Sequence, residues 1–268
     1  MSVERILLTN DDGVDAVGLR AMYEALADDY EVVAVAPIGD QSSTGRTLSD
    51  EVDVREHQFG YAVDGTPVDC VVAGLGELVP DADAVVAGCN EGANLGAYTL
   101  GRSGTVSAAV EAAFFDVPAV ATSMYVPGGE DWWKRELKPA EFAEATRATR
   151  FLVEAADDAE VFDRVDYLNV NAPIAVDGAE VRCDRAPMRV TAPSEWYGME
   201  AVRNGDGRVA FSDPIWGRMN ATDVPDPVGT DRRAVVDGEV SVSPLSVPHA
   251  AEPNAGLDDL VEAYANAD

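Results

Sequence analysis

The sequence predicts an α/β fold with a mainly parallel sheet, followed by a strand-rich arm and a terminal helix. Three observations carry that reading. Residues 5–9 (RILLT) and 31–36 (EVVAVA) are short apolar runs flanking a helical pattern, which makes a βαβ unit at the start of the chain. Further apolar runs at 84–88, 118–123 and 165–170 alternate with helical segments, as a parallel sheet with crossover helices requires. After Pro173 the chain breaks into short strands and many turns.

The elements follow in order. Residues 5–9 read as a buried strand feeding the turn Asn10-Asp11-Asp12-Gly13. Val17, Leu19, Met22 and Leu26 repeat at helical spacing, so 16–28 is a helix. Strand 31–36 runs into a polar loop from Pro37 to about Thr47, and the alternating stretch 52–63 reads as a hairpin. Thr66 then Pro67 is a helix start, a hydroxyl cap followed by proline in the first turn, with the helix reaching about Leu78. Strand 84–88 opens a glycine-rich loop, 88–104, which leads into an alanine-rich helix, 105–115. Strand 118–123, a helix from Pro139 to about Asp158 and strand 165–170 complete this part. In the arm, strands are expected at 180–184, 207–211 and 235–243. Asp237-Gly238 between two β-type runs signals a hairpin, and 257–265 an amphipathic helix.

Bulk composition limits the function classes. Hydrophobic residues make up 47% of the 268, enough for a globular core. No apolar run is long enough to span a bilayer and the first residues lack a secretory pattern, so the expected compartment is the cytoplasm. Cys70, Cys89 and Cys183 are scattered, which argues against a zinc site or a disulfide framework. The net charge is -30, with Lys134 and Lys138 the two lysines among 19 basic residues. Such a surface excludes a nucleic acid polymer as partner, because phosphate contacts need clustered Lys and Arg. It fits instead a chain working at high salt, where a Debye length of ~3 Å at ~1 M screens the repulsion.

Three loops at strand carboxyl ends carry chemistry, where open α/β sheets bind ligands. Adjacent carboxylates at Asp11 and Asp12 repel unless a cation neutralises them, and oxygen ligands select hard divalent ions; alternatively the stretch is a plain Asx turn. Asp40 to Gly45 (DQSSTG) offers hydroxyls for a metal or a phosphate, or is simply a loop. GCNEGANLG, 88–96, ends in Ser103-Gly104-Thr105 at a helix start, where backbone N–H groups and the helix dipole favour an anion. No GxGxxG follows the first strand and no GK[ST] exists, so dinucleotide and Walker loops are excluded. A hard-metal site beside an anion cradle is what phosphate-ester hydrolysis needs.

ILLTNDDGVDAVGL, the APxxxQSSTG loop, GTPVDC, GCNEGANLG and SGTVSAAVEA resemble the SurE family of survival-protein nucleotidases. LNVNAP, 168–173, and VGTDRRAVVDGEVSVSPL, 228–245, extend the resemblance over nearly the whole chain. It implies a single SurE-like domain, 1–268: a Rossmann-like three-layer α/β/α core over 1–175, and a hairpin-rich arm with a C-terminal helix over 176–268, exchanged between subunits of a homodimer or homotetramer. It implies a metal-dependent phosphomonoesterase acting on nucleoside 5′-monophosphates, and on 3′ ones too. Short-chain polyphosphate hydrolysis and a non-catalytic nucleotide-binding module are the alternatives. Carried over, the ligands of one divalent ion, Mg²⁺ or Mn²⁺, fall on Asp11, Asp12, Ser42 and Asn90, with Ser43 adjacent to Ser42. Phosphate contacts fall on Asn94, Ser103, Gly104 and Thr105. The catalytic pair is Asp11 and Asp12, with water as nucleophile and Asp12 helping to activate it, or an aspartyl-phosphate on Asp11. His57 and His249 are not assigned to the site.

Overall fold

The computed structural model describes residues 3–128, 136–177, 180–181 and 184–247. Its first half alternates as expected: β1 (Arg5–Thr9), α1 (Val17–Leu26), β2 (Glu31–Pro37), then the hairpin β3 (Val54–His57) and β4 (Gly60–Val63). Helix α2 (Pro67–Ala73) starts at the predicted cap. The Thr66 hydroxyl accepts from the Asp69 N–H while the Asp69 carboxylate accepts from the Thr66 N–H, a reciprocal capping box. The helix closes in a π turn, Gly74–Leu78. Then come β5 (Ala84–Glu91), the short α3 (Ala97–Leu100), α4 (Gly104–Phe114), β6 (Ala119–Tyr125), α5 (Ala143–Asp158) behind a 3-10 turn, and β7 (Tyr167–Pro173).

The later segment is β8 (Val176–Asp177), β9 (Glu180–Val181), β10 (Met188–Val190), β11 (Glu200–Arg203), β12 (Val209–Ser212), α6 (Ile215–Asn220), α7 (Asp231–Val236) and β13 (Val240–Leu245). Nine strands form one sheet in the order β10-β13-β7-β6-β5-β1-β2-β4-β3. From β7 to β4 every neighbouring pair is parallel, while β13 on β7 and β3 on β4 are antiparallel. β10 and β13 place residues from beyond 175 in the central sheet.

Side chains alternate between two apolar layers, the period-2 signature of a strand covered on both faces. Ile6 and Leu8 of β1 pack in the cluster containing Leu19, Met22 and Phe142, on the α1 and α5 side. Leu7 packs in the cluster containing Val71, Val106 and Val110, on the α2 and α4 side. The result is the expected three-layer α/β/α core. The chain order reverses at β1, with β2 on one side and β5 on the other, so a crevice opens beyond their carboxyl ends.

The arm departs from expectation. Residues 235–243 do not form a hairpin: α7 ends there and β13 begins. Asp237-Gly238 instead closes the helix. Gly238 has φ +79°, its N–H reaches the Val235 carbonyl, and the Glu239 N–H reaches Ala234, a Schellman cap. The same dipeptide serves either role, because both need a residue at positive φ. The strand at 207–211 is β12, paired antiparallel with β11. At 180–184 the strand is β9 alone, paired with β8, while 182–183 and the helix at 257–265 lie outside the described residues.

Candidate active site

The NDDG turn divides its labour. Asn10 is fully buried and closes the turn itself: its side-chain oxygen accepts from the Gly13 N–H (3.2 Å) and its amide donates to the Gly13 carbonyl (2.9 Å). Asp11 and Asp12 therefore have no capping duty and line an open cleft of about 1120 Å³. The Asp11 carboxylate accepts from the Thr105 hydroxyl at 2.5 Å, while Asp12 accepts from the Glu91 N–H at 3.0 Å. Gly104 lets α4 come this close: a Cβ there would lie 2.8 Å from the Asp11 Cβ and 2.9 Å from its Oδ2.

Burial and mutual repulsion make the pair costly when both are ionised. Burial raises the pKa of Asp11, opposed by its bonds to Thr105. Burial, then the Asp11 charge, pushes Asp12 up to about 8. The Asp40 carboxylate raises both further, and Glu91 is raised by burial. A divalent cation among these oxygens would offset that penalty.

Asn90 sits on β5 and not in the loop beyond it, because the strand runs on to Glu91. The pairing register with β6 shifts between Ala87 and Asn90, a bulge that re-aims the strand end. The Asn90 amide nitrogen donates to the Gly92 carbonyl at 2.6 Å, so of the two amide atoms the oxygen is the one that could meet a cation. Ser42 is exposed and ordered by Asp40, whose Oδ1 accepts from the Ser42 N–H (2.8 Å) and hydroxyl (2.5 Å). Among the described residues no three His, Cys, Asp or Glu side chains converge on a metal-binding position. The candidate donors, Asp11, Asp12, Asn90 and Ser42, are two carboxylates with an amide and a hydroxyl, all hard oxygen.

Residues 6–199 match the family described as Survival protein SurE. The chain belongs to the SurE family. It is 56% identical to the 5′-nucleotidase SurE of Haloquadratum walsbyi, covering 97% of this chain and 96% of that one. It is 58% identical to the 5′-nucleotidase SurE of Natronomonas pharaonis, with 97% and 99% covered. The crystal structure of the Aquifex aeolicus SurE protein superposes with a TM-score of 0.75 at 28% identity, covering 97% of this chain and 99% of that one.

In this SurE chain Asp11, Asp12, Ser42, Asn90, Asn94 and Ser103 all line one cleft. Gly104 and Thr105 do not line it. The fully buried Thr105 turns its hydroxyl inward to Asp11, and its backbone N–H also acts on that carboxylate, so its partner is Asp11. Ser103 caps α4, its hydroxyl oxygen accepting from the Val106 N–H at 3.0 Å. Asn94 is buried; its amide donates to the Ser123 hydroxyl at 2.9 Å. Sequence reasoning missed Asp40, although its spacing two residues before Ser42 is an Asx-turn signal. It also missed Tyr125, Leu137, and Trp216 and Asn220 of α6, which line the same cleft; the Tyr125 hydroxyl donates to the Asn220 side-chain oxygen at 3.4 Å. Only the i, i+4 spacing of Trp216 and Asn220 could have put those two on one face.

Proposed function

We propose that this SurE-family chain is a metal-dependent phosphomonoesterase that hydrolyses nucleoside 5′-monophosphates to nucleoside and phosphate. One observation carries the reading: two adjacent carboxylates, Asp11 buried and Asp12 partly buried, sit beside the N-terminus of α4 in a cleft far larger than a phosphate group. In the reading, Asp11, Asp12, Ser42 and Asn90 hold one Mg²⁺ or Mn²⁺. The bound ion supplies Lewis acidity toward phosphoryl oxygens and compensates the carboxylate pair. Thr105 fixes the orientation of Asp11. Asn94 and the Ser103 hydroxyl, which line the cleft, take phosphoryl oxygens. Water attacks phosphorus and its proton passes to Asp12; the P–O bond to the ribose breaks, the leaving 5′ oxygen takes up a proton from solvent, and Asp12 releases its own. Covalent attack by Asp11 is the alternative, tested by trapping a phosphorylated aspartate during turnover. The part of the cleft lined by Trp216, 40% exposed, takes the nucleoside.

We further infer one SurE-like domain over 1–268, acting as a homodimer or homotetramer in the cytoplasm at high salt. Assembly is supported by the β11–β12 hairpin, which exposes Val202, Val209 and Phe211, the last at 73%. No described helix is long and apolar enough to cross a membrane. The test of function is phosphate release from 5′-monophosphates, 3′-monophosphates and short polyphosphate, in molar salt with Mn²⁺ or Mg²⁺. Faster release from 5′-monophosphates is expected. Preference for polyphosphate would move the assignment to the alternative, and nucleotide binding without release would replace catalysis by binding.

A further inference from the structure

The loop that leads from Asn90 to Ser103 is held by side chains from far along the chain. The Asn94 N–H donates to Asn171 at 2.8 Å, and the Asn94 carbonyl accepts from Asn169 (3.0 Å) and Asn171 (3.1 Å). The Leu95 carbonyl accepts from Arg232 at 3.4 Å, and the Gly96 N–H donates to Asp231 at 2.6 Å. The Ala97 N–H donates to the Ser194 carbonyl at 2.8 Å. The Leu95 side chain is plugged into a separate apolar cluster with Ile215, Met219 and Val235.

Asp231 and Arg232 are the hub of this brace, and both are buried. Beyond Gly96, Asp231 accepts from the N–H groups of Ser194 (2.9 Å) and of Arg232 (2.7 Å). The Arg232 guanidinium also donates to the Ser194 hydroxyl (3.2 Å) and the Trp196 carbonyl (3.0 Å). It occupies the space a side chain at Gly96 would need: a Cβ there would lie 2.2 Å from Nη2, and Gly96 has φ +82° besides. A buried carboxylate and guanidinium that each bind several backbone groups lock local geometry more than they stabilise the fold.

We propose that Asp231 and Arg232 are positioning residues for phosphate handling. They set the path of residues 94–97, and through it the placement of Asn94 and Ser103 on the cleft wall. This rests on the phosphomonoesterase reading. The proposed metal ligands stand in the turn after β1, on β5 and in the loop after β2, outside the brace, so the two residues act on the anion end of the cleft and not on the metal end.

The test uses the full chain in molar salt with Mn²⁺: wild type, Asp231→Asn, Arg232→Lys, and Thr149→Ala as a buried control away from the loop. Each is assayed where near-ultraviolet circular dichroism shows it folded. Asn offers one acceptor oxygen where Asp231 offers two, so kcat/KM on AMP should fall about 10²-fold, as for an angstrom-scale misplacement. Competition by inorganic phosphate should weaken about tenfold, while Mn²⁺ affinity, read by electron paramagnetic resonance, stays within about twofold. Arg232→Lys, which keeps the charge but not the fork, should fall between, and Thr149→Ala should change none of these. If Asp231→Asn does not fold, Arg232→Lys decides alone. Unchanged phosphate competition in a folded variant, or Mn²⁺ affinity falling in step with rate, overturns the proposal. Wild type that releases no phosphate under any metal condition overturns the phosphomonoesterase reading instead.

Discussion

The two ends of the cleft are built by different means. The proposed metal end is local: Asp11 and Asp12 are consecutive residues just beyond β1, Asn10 closes their turn, and Asn90 stands on the neighbouring β5. The proposed anion end is remote: the backbone of residues 94–96 is bound by side chains 75 to 137 positions away. A charged pair needs a rigid strand end and a cation, which a short motif supplies. A loop that approaches an anion closely needs its backbone fixed from outside, and no short motif does that.

The largest effect should come from the metal end. Asp11→Asn removes a carboxylate from the proposed ligand set, so kcat/KM on AMP should fall at least about 10³-fold, with Mn²⁺ affinity lost as well. Retained Mn²⁺ affinity would separate Asp11 from the ligand set. Gly104→Ala probes where the two ends touch. Its Cβ would collide with Asp11, so a loss of about 10²-fold is expected without any change in a functional group. Near wild-type kinetics would show that α4 can retreat at no cost to the chemistry. Thr105→Val removes the hydroxyl that holds Asp11 and should cost about tenfold in metal affinity. An effect on phosphate competition alone would return Thr105 to the anion end.

Two further outcomes concern stability. Without metal, the folded protein keeps a proton on Asp12 up to about pH 8, whereas the unfolded chain releases it near the ordinary carboxylate value. The folded state binds more protons in that window, so this contribution to stability is full at low pH and is lost as pH rises toward 8. Asp12→Asn removes the slope. In chelator, its melting temperature should gain on wild type as pH rises from 5 to 8, and a constant gap would contradict the assignment. The net charge of -30 predicts that melting temperature falls as molar salt is lowered to ~0.1 M, where the Debye length grows to ~10 Å. An unchanged melting temperature would remove the high-salt reading and leave both ends of the cleft as they are.

Much of this was legible in the residues. Thr66-Pro67 announced α2, the alternating apolar runs announced the sheet, and NDDG announced the paired carboxylates at the end of β1. Legibility failed where one signal serves two structures or where the partner is distant. Asp237-Gly238 is equally a hairpin turn and a helix cap, and the β-branched Val235 and Val236 tilted the reading toward strand. Thr105 reads as part of a helix start whose backbone N–H groups favour an anion, yet its hydroxyl and its backbone N–H are turned to Asp11, 94 residues earlier. Asp231 and Arg232 lie in a stretch whose role depends on contacts with Leu95 and Gly96, which periodicity does not encode.

The most direct test of the central claim is reversal by chelation. Phosphate release from AMP is followed in molar salt with Mn²⁺, after EDTA, and after Mn²⁺ is restored. The account predicts release, its loss, and its return, with the protein folded throughout. Release that persists in EDTA would contradict a metal-dependent site at Asp11 and Asp12.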